Sequence, residues 1–145
     1  MSVKGLMTTA TETITRSTTV MEACRVMKSE NVGALAVVEE GKLCGIFTYR
    51  DLVDRVILDK RDPETTKLED VMTTDVDALG ADGSYGDALH LMVDKEYTYV
   101  PILGEEDKLA GMLSLHGLLE HKIDDLASEL DAVTQYLSVD GPGGD

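Results

Sequence analysis

The chain has 145 residues, 43% of them hydrophobic, and sets 13 Lys and Arg against 28 Asp and Glu for a formal net charge of -15. That length makes one ordinary domain or two small units sharing a core. The acidity argues against nucleic acid or an anionic membrane as main partner, since basic side chains hold both. No apolar run nears the ~20 residues that span a bilayer, and "MSVKGLMTTA" lacks a signal peptide's apolar centre, so the expected location is the cytoplasm.

In chain order, a short strand is expected around Thr13 and Ile14. Thr19 and Glu22 then form a capping-box pattern ahead of Val20, Ala23, Cys24 and Met27, which share one helical face. The apolar run "GALAVV", the turn "VEEGK" and the run "KLCGIF" read as a β-hairpin, and a second helix begins near Tyr49. The segment "DKRDPETTKLED", with Pro63 and many charges, reads as a linker. A strand follows at Ala78 and Leu79, and Ser84 with Asp87 caps a helix carrying Tyr85, Ala88, Leu89 and Met92. "YVPIL", "LGEEDK" and "KLAGML" form a second hairpin, and a last helix starts near Leu115. Leu119, Ile123, Leu126, Leu130, Val133 and Leu137 alternate spacings of four and three along that helix, a heptad seam suited to packing on its own domain or to docking another chain. "SVDGPGGD" reads as a disordered end.

The order β-α-β-β-α occurs twice. A shift of 65 lays Met7, Thr8 and Thr9 on Met72, Thr73 and Thr74, Ala23 on Ala88, and Met27 on Met92. One extra turn residue makes the shift 66, which lays Lys42, Leu43, Gly45 and Leu52 on Lys108, Leu109, Gly111 and Leu118. The chain is read as a first repeat with the start of its linker over 1–62, a second repeat over 63–122, and a helical extension with a disordered end over 123–145.

These duplicated units, the "VMTTDVDAL" lead-in, and the glycine-led strands of "GIFTYRDLV" and "GMLSLHGLL" resemble tandem CBS domains, the Bateman module, over roughly residues 3–122. The resemblance implies an α+β fold in which two repeats pack as a pseudo-twofold pair with two clefts between them. Such clefts commonly bind AMP, ADP, ATP, S-adenosylmethionine or NAD-type dinucleotides, and the pairs often dimerise into a flat disc.

Thr48 and Asp51 admit two readings. One is a capping box for the second helix. The other, which the resemblance favours, has Asp51 accepting hydrogen bonds from both ribose hydroxyls, with Thr48 facing phosphate and Arg50 adding a charge-assisted contact. By resemblance the adenine slot falls on Ile14, Thr15, Gly33 and Ala34. Family members that grip phosphate strongly often carry His or Arg before the middle strand, where this chain has Gly33 and Ala34, so Arg50 or a base from a partner chain would have to serve. In the second cleft Ser114 and His116 remain but Gly117 replaces the acid, which makes that cleft the weaker one. Tyr97 and Tyr99 are assigned there, stacking on a base or packing at a strand edge.

Residues 1–70 carry net -2, residues 71–117 net -7 and residues 118–145 net -6, so an anionic ligand should meet less repulsion near the first repeat. No catalytic constellation is found. "GADGSYG" lacks a following GK[ST], and His90, His116 and His121 have no metal-ligand spacing with Cys24 or Cys44, which are expected to be reduced thiols. The resulting expectation is a non-enzymatic regulatory module that senses an adenosyl ligand, requires no cofactor or metal, and forms a homodimer with a possible protein partner at its last helix. The alternative is a ligand-free dimerisation or docking module with vestigial clefts.

Overall fold

The computed structural model describes Gly5, Met7 and residues 14–140, with side chains as far as 135. Thr13, Thr8, Thr9, the Leu137 side chain and residues 141–145 lie outside the described residues. In order the elements are α1 (Val20–Glu30), β1 (Ala34–Glu39), β2 (Lys42–Thr48), α2 (Tyr49–Asp51, continuing as a π-helical stretch over Leu52–Ile57), α3 (Leu68–Val71), β3 (Leu79–Gly80), α4 (Tyr85–Lys95), β4 (Tyr99–Leu103), a 3-10 turn (Glu105–Asp107), β5 (Leu109–Ser114) and α5 (Leu115–Asp140). The α+β fold with two β-α-β-β-α repeats and a long final helix is thus the observed one. The strand expected at Ile14 is a single parallel bridge to Val37, and α5 runs through 138–140, where a disordered end is expected from sequence.

Local chemistry sets the helix ends. Thr19 Oγ1 accepts the Glu22 N–H at 3.2 Å and Ser84 Oγ the Asp87 N–H at 3.1 Å, each satisfying a donor with no partner inside its own helix. Both helices end on a left-handed residue, Asn31 and Glu96, at equivalent positions of the two repeats. Between them, Val20, Ala23 and Met27 of α1, and Ala88 and Met92 of α4, are buried. Each helix covers its own hairpin: β1 pairs antiparallel with β2, and β4 with β5, with register slips between Val37 and Val38 and between Ile102 and Leu103, again at equivalent places.

The charged segment between repeats is not a free tether. Pro63 and Thr66 carbonyls accept the Met21 and Val20 N–H groups at 2.9 Å, supplying the first turn of α1 with acceptors. Leu68 and Glu69 N–H groups return bonds to the Thr18 and Arg16 carbonyls at 2.9 and 3.0 Å. Leu68, Val71 and Met72 then enter the core of the first repeat, with Ile14, Phe47 and Val56, while Met7, the equivalent of Met72, packs against the core of the second. Among the described residues of the two lead-ins, Met7 and Leu68 to Met72 thus lie against opposite cores.

The turn joining β1 to β2 has Glu40 at φ 53° and Gly41 at φ 81°, the pair of left-handed residues that a tight hairpin turn needs. Glu40 is poorly suited to that conformation, whereas Asn adopts it readily. Glu40→Asn is expected to stabilise the chain by about 0.5–1 kcal/mol, and Gly41→Ala to destabilise it by about 1 kcal/mol or more, since a Cβ is strained at that φ whatever the space around it. Thermal unfolding of the two variants checks both signs.

Candidate functional site

The cavity of interest lies between the repeats. It encloses about 640 Å³ and is lined from the first repeat by Asn31 to Gly33, Ile46 and Thr48 to Asp51, and from the second by Thr73, Asp75 to Asp77, Glu96 to Tyr99 and Pro101. Its construction begins at Gly45. The lead-in of the second repeat runs against β2, with the Ile46 and Thr73 backbones exchanging two hydrogen bonds at 2.9 Å. A Cβ on Gly45 would lie 2.7 Å from the Thr73 carbonyl oxygen and 2.9 Å from Met72 Sδ, so only glycine permits this approach.

That approach sets Thr73 beside Asp51. Asp51 is 5% exposed, and its Oδ2 accepts the Thr48 N–H at 3.0 Å and the Thr48 hydroxyl at 3.2 Å. Oδ1 accepts the Thr73 hydroxyl at 2.9 Å and faces Arg55 Nε at 3.8 Å. The Asp51 N–H donates to Thr48 Oγ1 at 3.3 Å, which completes a capping box. Arg55 also donates to the Met72 carbonyl at 2.9 Å. A buried carboxylate is tolerated only when it is fully hydrogen-bonded, and here both repeats provide the donors.

At the far wall the Tyr99 hydroxyl accepts the Gly33 N–H at 3.0 Å, a further side-chain contact across the repeats. Tyr97 donates to Asp77 at 2.7 Å. The acids Asp51, Asp75, Asp77 and Glu96 outnumber Arg50 around the cavity, because the facing repeat contributes three of them. The lower repulsion expected beside the first repeat therefore does not extend into this cleft.

The structure gathers Gly33, Thr48, Arg50 and Asp51 around one cavity. Ile14, Thr15 and Ala34 do not line it. Ile14 is buried in the core against Val37, Thr15 turns its hydroxyl to Ser17 and Thr18, and Ala34 is buried opposite Thr48 in the hairpin. Tyr99, assigned by sequence to the other cleft, faces this one, because its hydroxyl crosses to Gly33. Ser114 accepts the Gly117 N–H at 2.9 Å, and exposed His116 stands 3.1 Å from Glu120, both away from this cavity. The twofold equivalents of Thr73 to Asp77 are residues 8–12, so the opposite wall of the second cleft lies outside the described residues. Thr73, Asp75, Val76 and Asp77 were not anticipated from sequence; the duplicated "MTT" lead-in was the available signal. No group of three or more His, Cys, Asp or Glu among the described residues is arranged to hold a metal ion.

The Tyr97 phenol is pushed above its ordinary value near 10, first by its hydrogen bond to Asp77, then by burial and by the charges of Asp77 and Asp75. The protonated phenol is the form that is held, so this contact persists below the ordinary value and is lost as pH rises through the raised one. In an alkaline absorbance titration, the difference between the native chain and Tyr97→Phe should have its midpoint above 10, and Asp77→Ala should move that midpoint down. A midpoint indifferent to Asp77 would contradict this cause.

The CBS domain family matches residues 3–58 and 68–124. The CBS domain-containing protein YhcV of Bacillus subtilis is 37% identical over 117 residues, which cover 81% of this chain and 82% of that one. Among solved structures, an uncharacterized conserved protein from Pyrococcus horikoshii is 30% identical with a TM-score of 0.75, covering 83% of this chain and 91% of the other. CBSX2, solved in complex with AMP, shares the fold at a TM-score of 0.72 and 23% identity, over 85% of this chain and 96% of its own. With two family matches on two structurally equivalent repeats, the chain belongs to the CBS domain family and carries a pair of CBS repeats.

Proposed function

We propose that this chain is a regulatory, non-catalytic module that takes an adenosyl ligand in the cleft holding Thr48 and Asp51. The observation that carries this reading is a cavity of about 640 Å³ between the repeats, with an acceptor carboxylate, a hydroxyl, a backbone N–H and tyrosine side chains on its walls. Such a mixture of aromatic faces and few polar groups suits a nucleoside. The bound AMP of CBSX2 supports the ligand class.

The site has a built-in cost that would make binding a signal. Each carboxylate oxygen has two lone-pair positions, and those of Asp51 already face Thr48, Thr73 and Arg55. A ribose hydroxyl reaching Asp51 competes with the threonine hydroxyls and the Arg55 guanidinium for it. Displacing Thr73 trades a bond between repeats for a bond to ligand, which shifts the angle between them. We place the module in the cytoplasm, a reducing compartment that suits the free thiols Cys24 and Cys44. No helix among the described residues is long and apolar enough to cross a membrane.

The acids of the cleft also rank candidate ligands. Each added phosphate brings negative charge towards Asp75, Asp77 and Glu96, with Arg50 as the one cation among the described lining residues. At low ionic strength, adenosine, AMP or S-adenosylmethionine should raise the melting temperature more than ATP at equal concentration. A larger shift with ATP would contradict the electrostatic ranking, and no shift with any of the four would favour the ligand-free docking module.

Self-association belongs to the same proposal. Leu119, Ile123, Leu126, Leu130 and Val133 are 44% to 66% exposed on α5 and keep the heptad spacing that a paired helix requires. Light scattering should give a dimer, and Ile123→Asp combined with Leu130→Asp should shift it to monomer without changing the helical signal of the repeats. A native chain that remains monomeric at high concentration would remove the dimer from this reading.

A further inference from the structure

Gly33 stands where β1 begins, and its N–H donates to the hydroxyl of Tyr99, which arrives from the other repeat. Two rings crowd the same point. A Cβ on Gly33 would lie 3.2 Å from Tyr49 Cε2 and 3.3 Å from Tyr99 Cε2. A backbone donor beside tyrosine faces is the equipment for holding a planar heteroaromatic ring, with the N–H directed at a ring nitrogen and a tyrosine face against the ring. In the structure that donor is occupied by a side chain of the protein itself. The equivalent of Tyr99 in the first repeat is Ala34, which has no hydroxyl to offer the equivalent donor position at Thr98. The contact is therefore a property of this one cleft and not of the duplicated fold.

We propose that Tyr99 sets the affinity and selectivity of this cleft by acting as an internal substitute for the nucleobase, its hydroxyl holding the Gly33 N–H until a ring nitrogen replaces it. The inference rests on the adenosyl-ligand reading above. A ligand with a ring acceptor exchanges one hydrogen bond for another, while a ligand without one leaves the donor unpaired and is rejected. Release of the hydroxyl leaves the Tyr99 ring free to lie against the base. It also removes one of the side-chain hydrogen bonds between the repeats, so base binding and loosening of the pair are one event.

The test is Tyr99→Phe, which keeps the ring and deletes the competing oxygen. Calorimetric titration with AMP should give binding about three- to tenfold tighter than in the native chain, the range expected from one net hydrogen bond. Hydrogen exchange at the Gly33 amide should be faster in the ligand-free variant and should slow again on adding AMP, a readout that a merely structural tyrosine would not produce. If AMP binds the native chain and binds Tyr99→Phe equally or more weakly, the substitution role of Tyr99 is overturned while the ligand reading stands. If AMP binds neither protein and leaves Gly33 exchange unchanged in both, the ligand reading fails and this inference fails with it.

Discussion

The arrangement depends on one buried charge. Asp51 sits at the start of α2 with almost no exposure, and an ionised carboxylate there is tolerable only if donors surround it. The first repeat supplies two from Thr48 and a guanidinium from Arg55. The second supplies the Thr73 hydroxyl. Because the donors come from both repeats, satisfying the charge also fixes the lead-in of the second repeat against β2, and the cavity wall follows. Gly117 occupies the corresponding place in the second repeat, where Ser114 still caps the helix but no carboxylate gathers donors. The twofold symmetry of the backbone thus carries an asymmetric polar centre.

The same economy appears in the segment between the repeats. Its Pro and charged residues would ordinarily be solvated, yet its carbonyls take up the N–H groups at the start of α1 and its apolar positions enter the first core. Helix ends always need outside partners, and here the chain provides them from 40 or more residues away. Gly45 makes the adjoining contact possible by removing the one Cβ that would collide with the Thr73 carbonyl.

What could be read from the sequence was what is settled locally. Thr19, Ser84 and Thr48 announce helix starts because a hydroxyl three residues before a free N–H acts within one turn, and the hairpins follow from apolar runs broken by short acidic turns. Gly33, Thr48, Arg50 and Asp51 were anticipated together through resemblance, and the structure gathers them around one cavity. Tyr99 is assigned by sequence to the other cleft and Thr73 is not singled out, since their partners lie in the other repeat and depend on how the two copies face each other. The linker reading of "DKRDPETTKLED" left its docking unforeseen for a related reason. Composition reports side-chain polarity, whereas that segment is held by its backbone carbonyls and by Leu68. Ile14, Thr15 and Ala34 belonged to strand beginnings that the pseudo-twofold geometry directs into the core or onto the surface, away from the cleft.

The docked lead-in of the second repeat bears on how the protein comes apart. A first repeat cut before Leu68 loses Leu68, Val71 and Met72 from its own core, together with the acceptors for the first turn of α1. The first half cut there is then not a self-contained folding unit, although the repeated sequence suggests two of them. Melting should instead be a single cooperative transition involving both halves, with no native-like isolated half on the path. It also follows that the first repeat cannot be transplanted into another protein without the segment that follows it; its portable form extends through Met72.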